Sequence, residues 1–189
     1  MKKLFLIIGA PGSGKTTDAE LIASKYTNVT HYSTGDMFRA EVASGSQRGQ
    51  IIDTYIKAGN IVPIDIAIET ILMAIKNAPT DIIVIDGYPR SIEQMLELDK
   101  YLEKEDAVKL LNCIEVEVSE EVARDRVLGR SRGADDNIEV FNNRMKVYKE
   151  PLEQIKEFYS ERGLLKIING EGTIKEIVDE MDTFIQSRI

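Results

Sequence analysis

The chain has 189 residues, of which 43% are hydrophobic and 30% charged; this fits one globular domain and excludes a disordered polymer or two large independent domains. Its 24 Lys and Arg stand against 32 Asp and Glu, so a net charge of -8 offers no global attraction to nucleic acid or anionic lipid, and any anion site must be local. With one cysteine, Cys113, and one histidine, His31, an internal disulfide and a tetrahedral Cys/His zinc site are both excluded.

Residues 4–8, LFLII, form a short continuous apolar run of β-formers, the pattern of a strand covered on both faces. The run is shorter than the roughly 7 to 15 residues of a signal-peptide core, and no apolar stretch nears the ~18 residues of a membrane span, so a soluble cytoplasmic protein is expected. A helix is expected at 15–26, a strand at 29–33, and helices at 34–44, 47–58 and 64–77. A second buried strand follows at 82–85 (IIVI), then a helix at 91–104 and a partly alternating strand at 111–118. Helices at 119–129 and 137–162, a strand at 164–168 and a helix at 173–187 complete the order.

Strand and helix alternate, which predicts an α/β fold with a doubly wound parallel sheet. The rhythm breaks twice. Between 34 and 77 three helical segments follow one another, punctuated by Gly45, Gly49, Gly59 and Pro63, as in a helical insertion. Residues 130–137, RSRGADDN, read as a short mobile loop. With no linker in sight, one domain is expected, its core formed by 1–33, 78–129 and 138–189.

Residues 9–16, GAPGSGKT, satisfy G-x-x-x-x-G-K-[ST] between a strand and a helix, the place where such a loop cradles phosphates. Gly12 and Gly14 permit the backbone to turn successive N–H groups inward, and the next helix adds its positive end. Lys15 supplies a point charge for the β and γ oxygens. Asp86, ending the strand at 82–85, falls beside that loop, where a carboxylate can hold Mg²⁺ or its waters. The guanine-reading strings N-K-x-D and D-x-x-G do not occur, which argues against a GTPase switch.

Arg39, Arg90, Arg126, Arg130, Arg132 and Arg144 fall in or beside predicted loops and helix starts of an acidic protein. Guanidinium groups grip phosphates bidentately and keep their charge, so several together ask for a second phosphate-bearing ligand. For each singly, a surface ion pair is the plain alternative.

Taken in order, GAPGSGK at 9–15, STGDMFR at 33–39, GNIVP at 59–63, DGYPRS with Gln94 at 86–94, DRVLGR at 125–130, RGADDN at 132–137 and the Arg144 segment resemble the adenylate kinases among the nucleoside monophosphate kinases. The resemblance implies a P-loop NTPase core with an NMP-binding insertion at 34–77 and a lid at 130–137 of the short type, without zinc-binding cysteines. It implies ATP contacts at Gly12, Ser13, Gly14, Lys15, Thr16 and Thr17, with Arg126 on the adenine, Arg130 on phosphate and Gly172 near the base. AMP contacts are implied at Thr34, Gly35, Arg39, the 61–63 stretch of Ile61, Val62 and Pro63, Gly87, Tyr88, Pro89, Arg90 and Gln94. Arg132 and Arg144 would gather at the transferring phosphate. The catalytic set is then Lys15, Arg90, Arg130, Arg132 and Arg144.

One departure from the family pattern and several structural competitors leave choices open. Thr16 and Thr17 stand where the family usually has Gly-Thr, so either hydroxyl could meet the metal. Ser91 to Gln94 and Asp136 to Glu139 also read as capping boxes, Thr34 as a helix N-cap, and Gly172 as a turn before a Thr173 to Glu176 box.

The implied reaction is reversible Mg²⁺-dependent transfer from ATP to AMP giving two ADP, by a monomer needing no nucleic acid or membrane. A UMP/CMP or small-metabolite kinase and a nucleotide-sensing ATP-binding protein are the competing readings.

Overall fold

The computed structural model describes residues 1–130 and 136–189. Five strands, β1 (Lys2–Gly9), β2 (Val29–Ser33), β3 (Ile82–Asp86), β4 (Val108–Glu117) and β5 (Leu165–Asn169), form one sheet in the order β2-β3-β1-β4-β5. Every neighbouring pair is parallel. The chain leaves β1 toward β2 and β3 on one side and later returns to β4 on the other, so β1 sits at the switch of strand order, where open α/β sheets bind ligands at the carboxyl ends of their strands.

The alternation of β1 assigns its two faces. Leu4, Leu6 and Ile8 join a core with Ile71 and Ile75 of α4 (Ile64–Asn77), Met95 and Leu98 of α5 (Ile92–Leu102), and Ile155 and Tyr159 of α7 (Ile138–Glu161). Phe5 and Ile7 face α1 (Lys15–Lys25) and α8 (Ile174–Arg188) through Ala19, Ile22, Val178, Met181 and Ile185. Helices on both faces explain the continuous apolar runs.

The remaining helices are α2 (Thr34–Ala43), α3 (Gln47–Ala58) and α6 (Glu120–Arg130). Helices α2 to α4 carry a small core of their own, with Phe38, Ile52, Val62, Ile66 and Ala67 buried together. Arg48 ties α3 to α4 through Glu69 at 2.6 Å and Thr70 at 2.7 Å. Another small cluster, with Ala123, Val127, Phe141 and Met145, joins α6 to α7.

Element order matches the sequence expectation, with shifts at ends. Strand β4 begins at Val108, three residues before the expected 111, because the β1–β4 register slips between Leu4 and Phe5 and breaks the alternation there. Ser33, not Thr34, caps α2, its hydroxyl accepting from the Asp36 N–H. Asn137, not Asp136, caps α7. The Thr173–Glu176 capping box is present. No described helix is long and apolar enough to cross a membrane.

Candidate active site

The phosphate loop runs from the end of β1 into α1. Gly12 and Gly14 adopt φ of 82° and 92°, a region closed to most side chains. A Cβ on Gly12 would stand 2.4 Å from the Ala123 carbonyl oxygen, so α6 packs on bare backbone there. Gly14 offers no side-chain cap to α1, which leaves the first amides of that helix facing the loop.

Lys15 is half-buried, with Nζ 3.3 Å from the Ala10 carbonyl. Burial pushes its pKa from 10.5 down to about 7; Asp86 opposes this, while Arg90, Arg144 and Arg130 add to it. A phosphate in the loop would favour the charged form and reverse that effect.

Asp86, at the end of β3, is 1% exposed and fully engaged. Thr16 Oγ1 donates to its Oδ1 at 2.8 Å, His31 Nε2 lies 2.5 Å from its Oδ2, and Thr34 Oγ1 donates to its carbonyl at 2.8 Å. A hydroxyl and a carboxylate oxygen side by side at the phosphate loop are the hard donors that suit Mg²⁺ when nucleotide phosphates and water complete the shell. No cluster of three or more His, Cys, Asp or Glu side chains suited to a metal occurs among the described residues, so the protein itself would supply few ligands.

Next to Asp86 the chain turns through Gly87, φ 79°, whose N–H bonds to the Ile7 carbonyl at 2.9 Å and ties β3 to β1. The Gly87 carbonyl accepts from Arg90 Nε at 2.7 Å. Gln94 Oε1 accepts the Arg90 N–H at 2.7 Å, and Ser91 Oγ accepts the Gln94 N–H, so only half of the expected capping box forms. Burial, Arg144 and Arg39 press the Arg90 pKa down to about 10, against a raising effect of Asp86, and it stays charged at neutral pH.

An open cleft separates the loop and β3 from α2, α3 and the 59–62 stretch. Lys15, Arg39, Arg90, Arg130 and Arg144 all line it, as do Gly12, Thr16, Gly35, Gly87 and Pro89. Phe38, Ile56, Ile61 and Val62 give it an apolar wall. Asp36 pairs with Arg39 at 2.6 Å, and Asp136 takes Arg130 at 3.0 Å.

Other expected residues lie elsewhere. Tyr88 is fully buried in the core, its hydroxyl donating to the Gln94 carbonyl, so its ring is not a cleft wall. Thr34 and Gln94 are buried behind the cleft. Ser13, Gly14, Thr17, Arg126 and Gly172 stand outside its lining. Arg126 reaches back to the Ser13 carbonyl at 3.2 Å and the Gly170 carbonyl at 3.0 Å, which joins the phosphate loop to the loop after β5. Arg132 lies outside the described residues.

The expected site did not include His31, nor the face of α7 that carries Tyr148, Leu152 and Ile155 into the cleft below Arg144. The signal for α7 was present in the spacing, since 144, 148, 152 and 155 share one helical face.

A phosphate loop at the switch of strand order, facing guanidinium groups across one cleft, defines a P-loop phosphotransferase with an anionic acceptor, the architecture of a nucleoside monophosphate kinase. A family model described as Adenylate kinase matches residues 7–164. The chain is 65% identical over 189 residues to the adenylate kinase of Nautilia profundicola, covering 100% of this chain and 98% of the relative. It is 64% identical over 190 residues to that of Wolinella succinogenes, covering 100% of both. With that of Campylobacter lari it shares 63% over 185 residues, 98% of this chain and 97% of the relative. The chain belongs to the adenylate kinase family, the phosphotransferases that pass the terminal phosphate of ATP to AMP.

Proposed function

We propose that this enzyme catalyses ATP + AMP ⇌ 2 ADP with the donor phosphates on the 9–16 loop and Lys15, and the acceptor phosphate on Arg39 and Arg90. The observation that carries the reading is the convergence of five cationic side chains on one cleft of an acidic protein. Arg130 and Arg144, with Arg132, would neutralise the equatorial oxygens of the phosphoryl group in flight, and positioning with charge supplies the catalysis. The AMP phosphate is an anion at neutral pH, so no general base is required. Arg126, Ser13, Gly14, Thr17 and Gly172 belong to the donor nucleotide's side in this reading. Thr34, Gly35, Gly87, Pro89, Gln94 and the 61–63 stretch belong to the acceptor's, with Tyr88 acting from the core.

Thr16 and Asp86 would hold Mg²⁺, through water at the carboxylate; their hydrogen bond favours Thr16 over Thr17. The ion would draw together and neutralise the oxygens of the transferring phosphates. Residues 34–77 and 130–137 would act as an NMP-binding insertion and a short lid that exclude water during transfer. We infer a cytoplasmic monomer.

The test is a coupled ADP assay with AMP, UMP, CMP and shikimate as acceptors. AMP is expected to be preferred and to suppress release of free phosphate; AMP-independent hydrolysis or preference for another acceptor would overturn the reading.

A further inference from the structure

One side chain joins the helical insertion to α7. Asn143 Nδ2 donates to the Ala58 carbonyl at 2.7 Å and to Asn60 Oδ1 at 2.8 Å. Ala58 is the last residue of α3, and the last four carbonyls of a helix have no partner within it. Two of the four are satisfied locally: the N–H of Gly59, in left-handed conformation at φ 73°, bonds to the Ile56 carbonyl, and the N–H of Asn60 to the Tyr55 carbonyl, each at 2.9 Å. Ala58 is satisfied from outside, by the amide one residue before Arg144. The negative end of α3 favours such a donor.

Gly59 supplies a second observation. A Cβ there would lie 2.9 Å from Arg144 Cγ and 3.0 Å from the Val140 carbonyl oxygen. The end of α3 therefore rests directly on the stem of Arg144, with no room for a methyl group. The same segment continues into Asn60, Ile61 and Val62, which line the cleft.

We propose that Asn143 is a positioning residue, a clasp that sets the insertion in register on α7 and thereby fixes the acceptor wall relative to Arg144. It acts through Arg144 and the 58–60 turn, not on substrate, and its kinetic consequence rests on the reading of the insertion as the AMP side. Asn143→Asp keeps the shape but turns oxygens toward oxygens. Asn60→Ala removes one of the two acceptors and leaves the other.

Cys113 is buried, so spin labels on Gln50→Cys in α3 and Lys146→Cys in α7, both exposed, report the insertion-to-α7 distance in the full chain without nucleotide. In Asn143→Asp the distance is expected to lengthen and broaden, with KM for AMP rising about tenfold and KM for ATP changing less than about twofold, as for two lost hydrogen bonds. Asn60→Ala should raise KM for AMP about threefold. An unchanged distance distribution in Asn143→Asp, or equal rises in both KM values, overturns the clasp. A lengthened distance with unchanged KM for AMP upholds the clasp and overturns the assignment of the insertion to AMP.

Discussion

His31 Nε2 stands 2.5 Å from Asp86 Oδ2, while Thr16 Oγ1 holds the other oxygen of the same carboxylate. With a partner on each oxygen and 1% exposure, Asp86 has its orientation fixed from both sides. His31→Ala leaves Oδ2 buried without that partner, and such an orphan costs about 1–3 kcal/mol. Denaturant unfolding of the ligand-free protein should register this loss, and His31→Gln, which keeps a donor, should recover part of it. Unchanged stability in His31→Ala would show the pair to be idle.

Glu115 is 1% exposed in the middle of β4, between Ile8 of β1 and Ile167 of β5. Lys156 Nζ lies 3.0 Å from its Oε2, and the Tyr148 hydroxyl donates to its Oε1 at 3.2 Å, so α7 is pinned to the sheet two turns apart. Lys156→Ala strands the carboxylate and should cost about 3 kcal/mol, whereas Lys156→Leu with Glu115→Leu removes both charges and should cost less. A double-mutant cycle by denaturant unfolding measures the difference; additive losses would contradict the pairing.

Asp18 in α1 is 2% exposed, and its Oδ2 has no hydrogen-bond partner among the described residues. Burial raises its pKa from 3.8 to about 6, with Arg126 opposing. The folded state then binds this proton more tightly than the unfolded chain, so the contribution of Asp18 to stability is fully present below about 4 and is lost as pH rises through about 6. A neutral amide of the same shape would carry no such penalty. In the ligand-free protein Asp18→Asn should be more stable than the parent at pH 8 by on the order of 2 kcal/mol, with a smaller advantage at pH 5. An advantage independent of pH would point to packing instead of charge.

What the sequence revealed was what contiguous residues encode. The strands at 4–8 and 82–85 announced themselves because burial on both faces removes polar alternation, and the phosphate loop did so because its glycines, lysine and flanking elements are neighbours in the chain. The early start of β4 stayed hidden because a register slip against β1 breaks its alternation. Pairings across long sequence distances were equally silent: His31 meets Asp86 55 positions away, and Asn143 meets Ala58 across 85. Tyr88 sits inside a recognisable motif, yet its ring turns into the core, since motif order carries no information on which face of a turn a side chain takes.

Arg90 tests the site most directly, because its own surroundings separate folding from function. Its Nε and backbone N–H are satisfied by Gly87 and Gln94, which aims the rest of the guanidinium at the cleft. Without an anion it faces Arg144, Arg39 and Lys15, and the lowered pKa values of Arg90 and Lys15 record burial together with that repulsion. Removing one cation relieves repulsion while it forfeits the side-chain hydrogen bond to Gly87, so Arg90→Ala should keep its ligand-free stability within about 1 kcal/mol of the parent. In the proposed reading turnover should fall by roughly 10²- to 10³-fold, because the acceptor phosphate loses a preorganised charge that positions it for transfer. Arg90→Lys, with a charge but no planar fork, should recover little of it. Inorganic phosphate should raise the Tm of the parent and do so less in Arg90→Ala, since only a ligand held by the folded cleft stabilises it. Equal thermal shifts in the two proteins, with near-normal turnover in the variant, would remove Arg90 from the acceptor site.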